Sequence, residues 1–377
     1  NTAVTSSSTG MGGEGGEACA QIEVTAEIEE QAPDIIVVIG NNGSLSQEIA
    51  AVEANINDNF AAVLDQSGVD YRVILVTRSG SHQFNVCVEE PLGGTPTGEC
   101  AQQDNNNQPD NNPDKYFHYS AEIDSNDGWC KLLGSYDGTV PDEYGVAPNG
   151  WSEWLRPEAF KVVLLISDSS TNCLYDGTDL DDGPQQPNAS NIPEAEQAAA
   201  DFDGFLLGLS AAQFGTEADR NYQFHSIVGL AQKDQNDPTA AWLPADDLSL
   251  VKCTGDTNPV SPALGYQALS RLTGGLRFPI CEYQNFDVVF TQLAQNIVNA
   301  IDIACSFPLP DPPEGETLDL NTVQMKYTPP GEAEQIFNKV DGPNDCAADS
   351  FYIADDTIFL CDEACAEVQA GGDAAEL

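Results

Sequence analysis

Residues 35–39 form an unbroken apolar, β-branched run, Ile-Ile-Val-Val-Ile, set between Pro33-Asp34 and Gly40. A run this short and this uniformly apolar predicts a strand buried on both faces of a parallel sheet. From Gln47 the period changes. Ile49, Val52, Ile56, Phe60 and Val63 recur at helical spacing, so a turn of small residues joins the strand to an amphipathic helix. The same alternation repeats downstream: 70–77 and 161–167 read as buried strands, Pro193 opens a helix over 195–213, and 222–230 reads as another strand. Residues 262–273 are helical, 275–280 a short strand and 286–304 a closing amphipathic helix. Strands alternating with helices predict an α/β fold, a doubly wound, mostly parallel sheet covered on both faces.

Three stretches depart from this rhythm. Residues 1–20 are a Ser/Thr/Gly-rich tail that cannot bury enough surface to fold alone, and such tails tether domains to surfaces. The chain starts at Asn1 without a signal peptide, as expected of a mature or trimmed end. Residues 88–150 are a long Asn/Asp/Gly/Pro-rich insertion holding Cys100 and Cys130, a kind of excursion that is commonly functional or partner-facing. Beyond Cys305, the prolines of 307–313 make a stiff connector. Short alternating segments at 322–327, 335–340, 350–353 and 357–360 follow, with no long helix, and predict a small β-rich module stapled by cysteines. The expected organisation is a tail at 1–20, an α/β domain at 21–305 carrying the insertion, and a β-rich module at 306–377.

Chemistry in open parallel sheets gathers at the carboxyl ends of the strands. The first strand ends in the stretch Asp34-Ile-Ile-Val-Val-Ile-Gly-Asn-Asn-Gly-Ser-Leu-Ser46. This layout resembles the von Willebrand factor A (VWA) domain, whose first strand ends in Asp-x-Ser-x-Ser and holds a divalent cation. The matching positions here are Gly40, Asn42 and Ser44, so one of three ligands is unchanged. The family's later Asp has a counterpart in Asp168, at the end of Val162-Val-Leu-Leu-Ile-Ser-Asp168. Its Thr has three candidates, Ser120, Ser125 and Thr139. The resemblance thus implies a metal set of Asn42, Ser44 and Asp168 for Mg or Ca, weakened because Gly40 removes a carboxylate that hard cations favour. The whole chain is similar to secreted or lipid-anchored VWA proteins of bacterial envelopes.

A second acidic loop, Asp176-Gly-Thr-Asp-Leu-Asp-Asp182, offers Asp176, Asp179 and Asp181 as a calcium cradle, without the spacing or terminal Glu of an EF-hand. Asn42-Gly-Ser44 and Asn188-Ala-Ser190 match the glycosylation pattern. His82, His118 and His225 have no Ser or Cys constellation beside them, His225 reads as a core residue, and no Gly-rich phosphate loop follows a strand.

Composition narrows the classes. Against 61 acidic residues stand 13 basic ones, a net charge of -48, which argues against nucleic acid as a partner and against direct attraction to anionic membranes. No apolar segment is long enough to cross a membrane as a helix. Eleven cysteines are scattered through the chain and do not form paired Cys-x-x-Cys motifs, a pattern of disulfides in an oxidising compartment. Connectivity is not legible in sequence. Joining near neighbours would give Cys87–Cys100, Cys253–Cys281 and Cys346–Cys361, and an odd count leaves at least one cysteine free or joined to another chain. The expectation is a non-enzymatic extracellular protein that contacts itself, as a homo-oligomer or polymer, or another surface protein. The alternative is a divalent-cation-dependent adhesin.

Overall fold

The computed structural model describes residues 4–7, 23–26, 32–80, 84–100, 108–255, 258–300, 306–309, 319–328, 334–354 and 357–371. His82, Cys19, Cys305 and most of the 1–20 tail lie outside them. Two compact units emerge, Ala32–Ala300 and a second made of Asn1–Gln31 with Ile301–Leu377.

Six strands build the larger unit: β1 (Pro33–Ile39), β2 (Arg72–Thr77), β3 (Tyr116–Ser120), β4 (Phe160–Ser167), β5 (Tyr222–Val228) and β6 (Arg277–Pro279). Their order is β6-β5-β4-β1-β2-β3 and all are parallel, a doubly wound Rossmann-like sheet. β1 is central, which explains its unbroken apolar run: Ile35 to Ile39 are all at most 1% exposed. Helices α1 (Ser46–Asn55), α2 (Gly128–Ser135), α3 (Ile192–Leu209), α4 (Leu264–Leu272) and α5 (Phe286–Ala300) flank the sheet. Ile36 and Val38 pack in one core with Trp129, Phe202 and Leu269 from α2, α3 and α4. Residues of opposite parity face the other side, where the helical segment after β1 meets α5 through Phe60 and Phe290, ring centroids 5.7 Å apart.

Two features depart from the sequence expectation. Residues 88–150, read as an insertion, supply strand β3 and helix α2, and so are part of the sheet and its core. The helix after β1 contains a π-helical turn, Ile56–Ala61, before it resumes over Ala62–Ser67. The extra residue rotates the helix, so Leu64 is buried where the strict period places Val63.

Both edges of the sheet are capped. On β6, Arg277 and Trp242 exchange backbone hydrogen bonds of 3.1 and 3.0 Å. On β3, Tyr116 does the same with Asn112, the His118 N–H donates to Asn111 Oδ1 at 2.9 Å, and the Ser120 N–H to Asp142 Oδ1 at 2.8 Å.

In the smaller unit a five-stranded sheet runs β7-β11-β10-β9-β8, from β7 (Ser306–Pro308), β8 (Met325–Tyr327), β9 (Gln335–Lys339), β10 (Ser350–Ala354) and β11 (Thr357–Leu360). The expected strands are present. A helix, α6 (Asp362–Gly371), is added and buries Ala364 and Val368 against Tyr327, Phe337 and Phe351. Val4–Ser7 pairs antiparallel with Glu23–Ala26.

Cys87–Cys100, Cys253–Cys281 and Cys346–Cys361 are joined, and a further disulfide links Cys130 of α2 to Cys173 beyond β4. No helix among the described residues is long and apolar enough to cross a membrane.

Candidate functional site at the carboxyl ends of β1 and β4

In this strand order the connections leave β1 and β4 in opposite directions, which opens a crevice at their carboxyl ends. Gly40 extends the pairing, donating its N–H to Ile166 O at 3.0 Å. Asn41 then clamps the loop after β3: its N–H donates to Ile123 O at 3.0 Å, and its Oδ1 accepts from the Ile123 N–H at 2.6 Å.

Asn42 caps the 3-10 turn Gly43–Leu45, accepting from the Ser44 N–H at 3.2 Å and from the Ser44 hydroxyl. Its Nδ2 donates to Ser125 Oγ at 2.9 Å. Of the three candidates for the hydroxyl between the two strand ends, Ser125 is therefore the one brought to this loop. Ser120 instead donates to Glu143 at 2.8 Å and accepts from the Ser79 N–H, while the Thr139 N–H donates to Asp137. The Ser125 carbonyl in turn accepts from Ser167 Oγ at 3.5 Å, next to Asp168.

Asp168 is 3% exposed. Its carbonyl accepts from the Val260 N–H at 2.7 Å, but its Oδ1 has no hydrogen-bond partner among the described residues. Ser169 Oγ, on the same turn, is in the same position.

The donor set for a hard cation is thin. Both lone pairs of Asn42 Oδ1 are used by Ser44, which leaves the Asp168 carboxylate and the serine hydroxyls. Ca²⁺ takes six to eight oxygens, several from the protein, and Mg²⁺ six, of which several are waters and one or two are carboxylates. Gly40 supplies none, and a Cβ there would sit 2.7 Å from Leu45 Cδ1, so the side chain of Leu45 fills the space a carboxylate would need.

The other acidic loop is a hairpin. Leu174–Tyr175 pairs with Thr178–Asp179 across Asp176 (φ 46°) and Gly177 (φ 82°), the left-handed pair that a two-residue hairpin turn requires. Asp176 and Asp179 are exposed, and Asp181 accepts from the Gly183 N–H at 2.9 Å and from Asn172 Nδ2 at 3.0 Å. Among the described residues no group of three or more His, Cys, Asp or Glu side chains is arranged to hold a metal ion.

Sequence reading missed Asp182. It is 2% exposed, its Oδ2 accepts from the Gly265 N–H in the first turn of α4 at 2.8 Å, and burial, helped by the Asp181 carboxylate, pushes its carboxyl up to about 7. The signal was hidden in a run of four aspartates. His118 and His225 are both buried in the sheet. His225 accepts from the Leu276 N–H at 2.9 Å, and burial lowers its pKa to about 3. His118 lies within 3.0 Å of Thr77 O and is lowered to about 4, again by burial.

No protein-family model matches the chain, and no curated protein matches it.

Proposed function

We propose that the chain is a non-enzymatic, extracellular protein of VWA type that acts through protein–protein contacts, as a subunit of a surface assembly. The carrying observation is the crevice at β1 and β4. Asn42 is bonded to both Ser44 and Ser125, all neutral groups, where the fold ordinarily places its chemistry. The strand order and the strand-turn-helix at residues 33–55 support the VWA assignment, and the disulfides support an oxidising compartment. Light scattering after gel filtration tests the assembly: concentration-dependent growth in mass is expected, and a strictly monomeric particle at high concentration refutes it.

One observation favours a second reading. The buried Asp168 Oδ1, without a hydrogen-bond partner among the described residues, follows directly on Ser167, whose hydroxyl reaches the Ser125 carbonyl, and is the group that a cation would satisfy, which would make the protein a cation-dependent adhesin with Ser44 and Asp168 as ligands. Calorimetry with Mg²⁺, Mn²⁺ and Ca²⁺ separates the two. Heat abolished by Asp168→Ala supports the adhesin. No heat, or heat that survives in that variant and is lost on changing Asp176, Asp179 and Asp181, removes it.

A further inference from the structure

The net charge of -48 becomes more consequential once the cations are located. Every one of the 13 Lys and Arg side chains is engaged within the chain. Some pair with carboxylates: Arg156 with Asp34 and Asp70, Arg78 with Glu122 and Glu143, Arg220 with Asp203, Lys115 with Asp65, and likewise Lys131, Lys233, Arg271 and Lys326. The rest are held by neutral acceptors, as Lys161 is by the Arg156 and Ala159 carbonyls at 2.7 and 2.6 Å, Arg277 by Leu243 O at 2.6 Å, and Arg72, Lys252 and Lys339 in the same way. His118 and His225 add no charge above pH 5, since burial keeps both neutral.

The cations are therefore committed to contacts within the chain, and the carboxylates exceed them by 48. Like charges at this density oppose the compact state and oppose a second copy alike, and only small cations screen them. The screening length falls from about 10 Å at 0.1 M salt to about 3 Å at 1 M. We propose that cation concentration gates both the folded state of this protein and contacts between its copies. The second half rests on the assembly reading above; the first half stands without it.

The test uses the full chain. Thermal unfolding is followed from about 0.02 M to about 2 M NaCl, and light scattering compares CaCl₂ with NaCl at equal ionic strength. The midpoint is expected to rise by roughly 5 °C or more with NaCl. A triple variant, Asp58→Asn, Glu90→Gln and Glu99→Gln, removes three exposed carboxylates. It should melt higher than the parent at low salt, with a shallower salt dependence. Association should appear only once cation is added. A midpoint that does not move with salt, or growth in mass at low salt without added cation, overturns the proposal. A rising midpoint with no association in any salt sustains cation gating of the fold and refutes the assembly reading instead.

Discussion

Asp182→Asn is the sharpest probe of the reasoning about buried charge. The Asp182 carboxyl is held by the Gly265 N–H against the start of α4, almost without access to water, and burial raises its pKa from 3.8 to about 7. A carboxyl whose folded pKa lies above its unfolded value binds its proton more tightly in the fold. The stabilisation is therefore complete below pH 4 and is lost as pH rises through 7. The interval from 3.8 to about 7, at about 1.36 kcal/mol per pH unit, sets a ceiling of about 4 kcal/mol on that loss. Asparagine keeps an oxygen for the Gly265 N–H and does not titrate. The variant should match the parent near pH 4 and exceed it by up to about 4 kcal/mol near pH 8. The assay is urea denaturation across that range, urea being chosen because guanidinium would screen the surface carboxylates. Asp34, Asp127 and Asp142 are also raised by burial and tilt both proteins alike, so the difference between the two curves isolates Asp182. Parallel curves, or a variant equally destabilised at both pH values, would refute the account.

Three further outcomes are expected. Gly40→Asp displaces Leu45 and should cost about 1–3 kcal/mol in urea denaturation, while giving measurable Mg²⁺ heat where the parent gives less; unchanged heat would mean that the carboxylate position is not what limits the site. Replacing Cys130 and Cys173 together with Ala opens a 43-residue separation and should lower stability by about 4 kcal/mol, read from urea midpoints under non-reducing conditions. Arg156→Met strands the fully buried Asp34 without its partner and should cost about 3–5 kcal/mol at pH 7, falling as acid protonates Asp34.

The central strands were legible because burial on both faces leaves an unbroken apolar run at 35–39 in β1 and 162–166 in β4, with the polar residues Asp34, Lys161 and Ser167 only near the strand ends, and that pattern survives without any neighbour being known. β3 was not, although Tyr116-Phe-His-Tyr-Ser120 is aromatic enough for a strand: it sits among Asn, Asp and Pro residues, and its edge position tolerates polar groups. Helix α2 begins at Gly128 and is too short to show a period, and the described core residues of α6 are the small or weakly patterned Ala364, Cys365 and Val368. Gly40, Asn42, Ser44 and Asp168 could be aligned from residue types. That Ser125, and neither Ser120 nor Thr139, answers Asn42 depended on a loop closure that local sequence does not encode.

The capped edges of the main sheet carry a consequence for any crowded setting. With Trp242 bonded along β6, and Asn111, Asn112 and Asp142 along β3, neither border offers a free ladder to a foreign strand. A molecule packed at high local concentration is thereby hindered from stacking into cross-β fibres through its largest sheet.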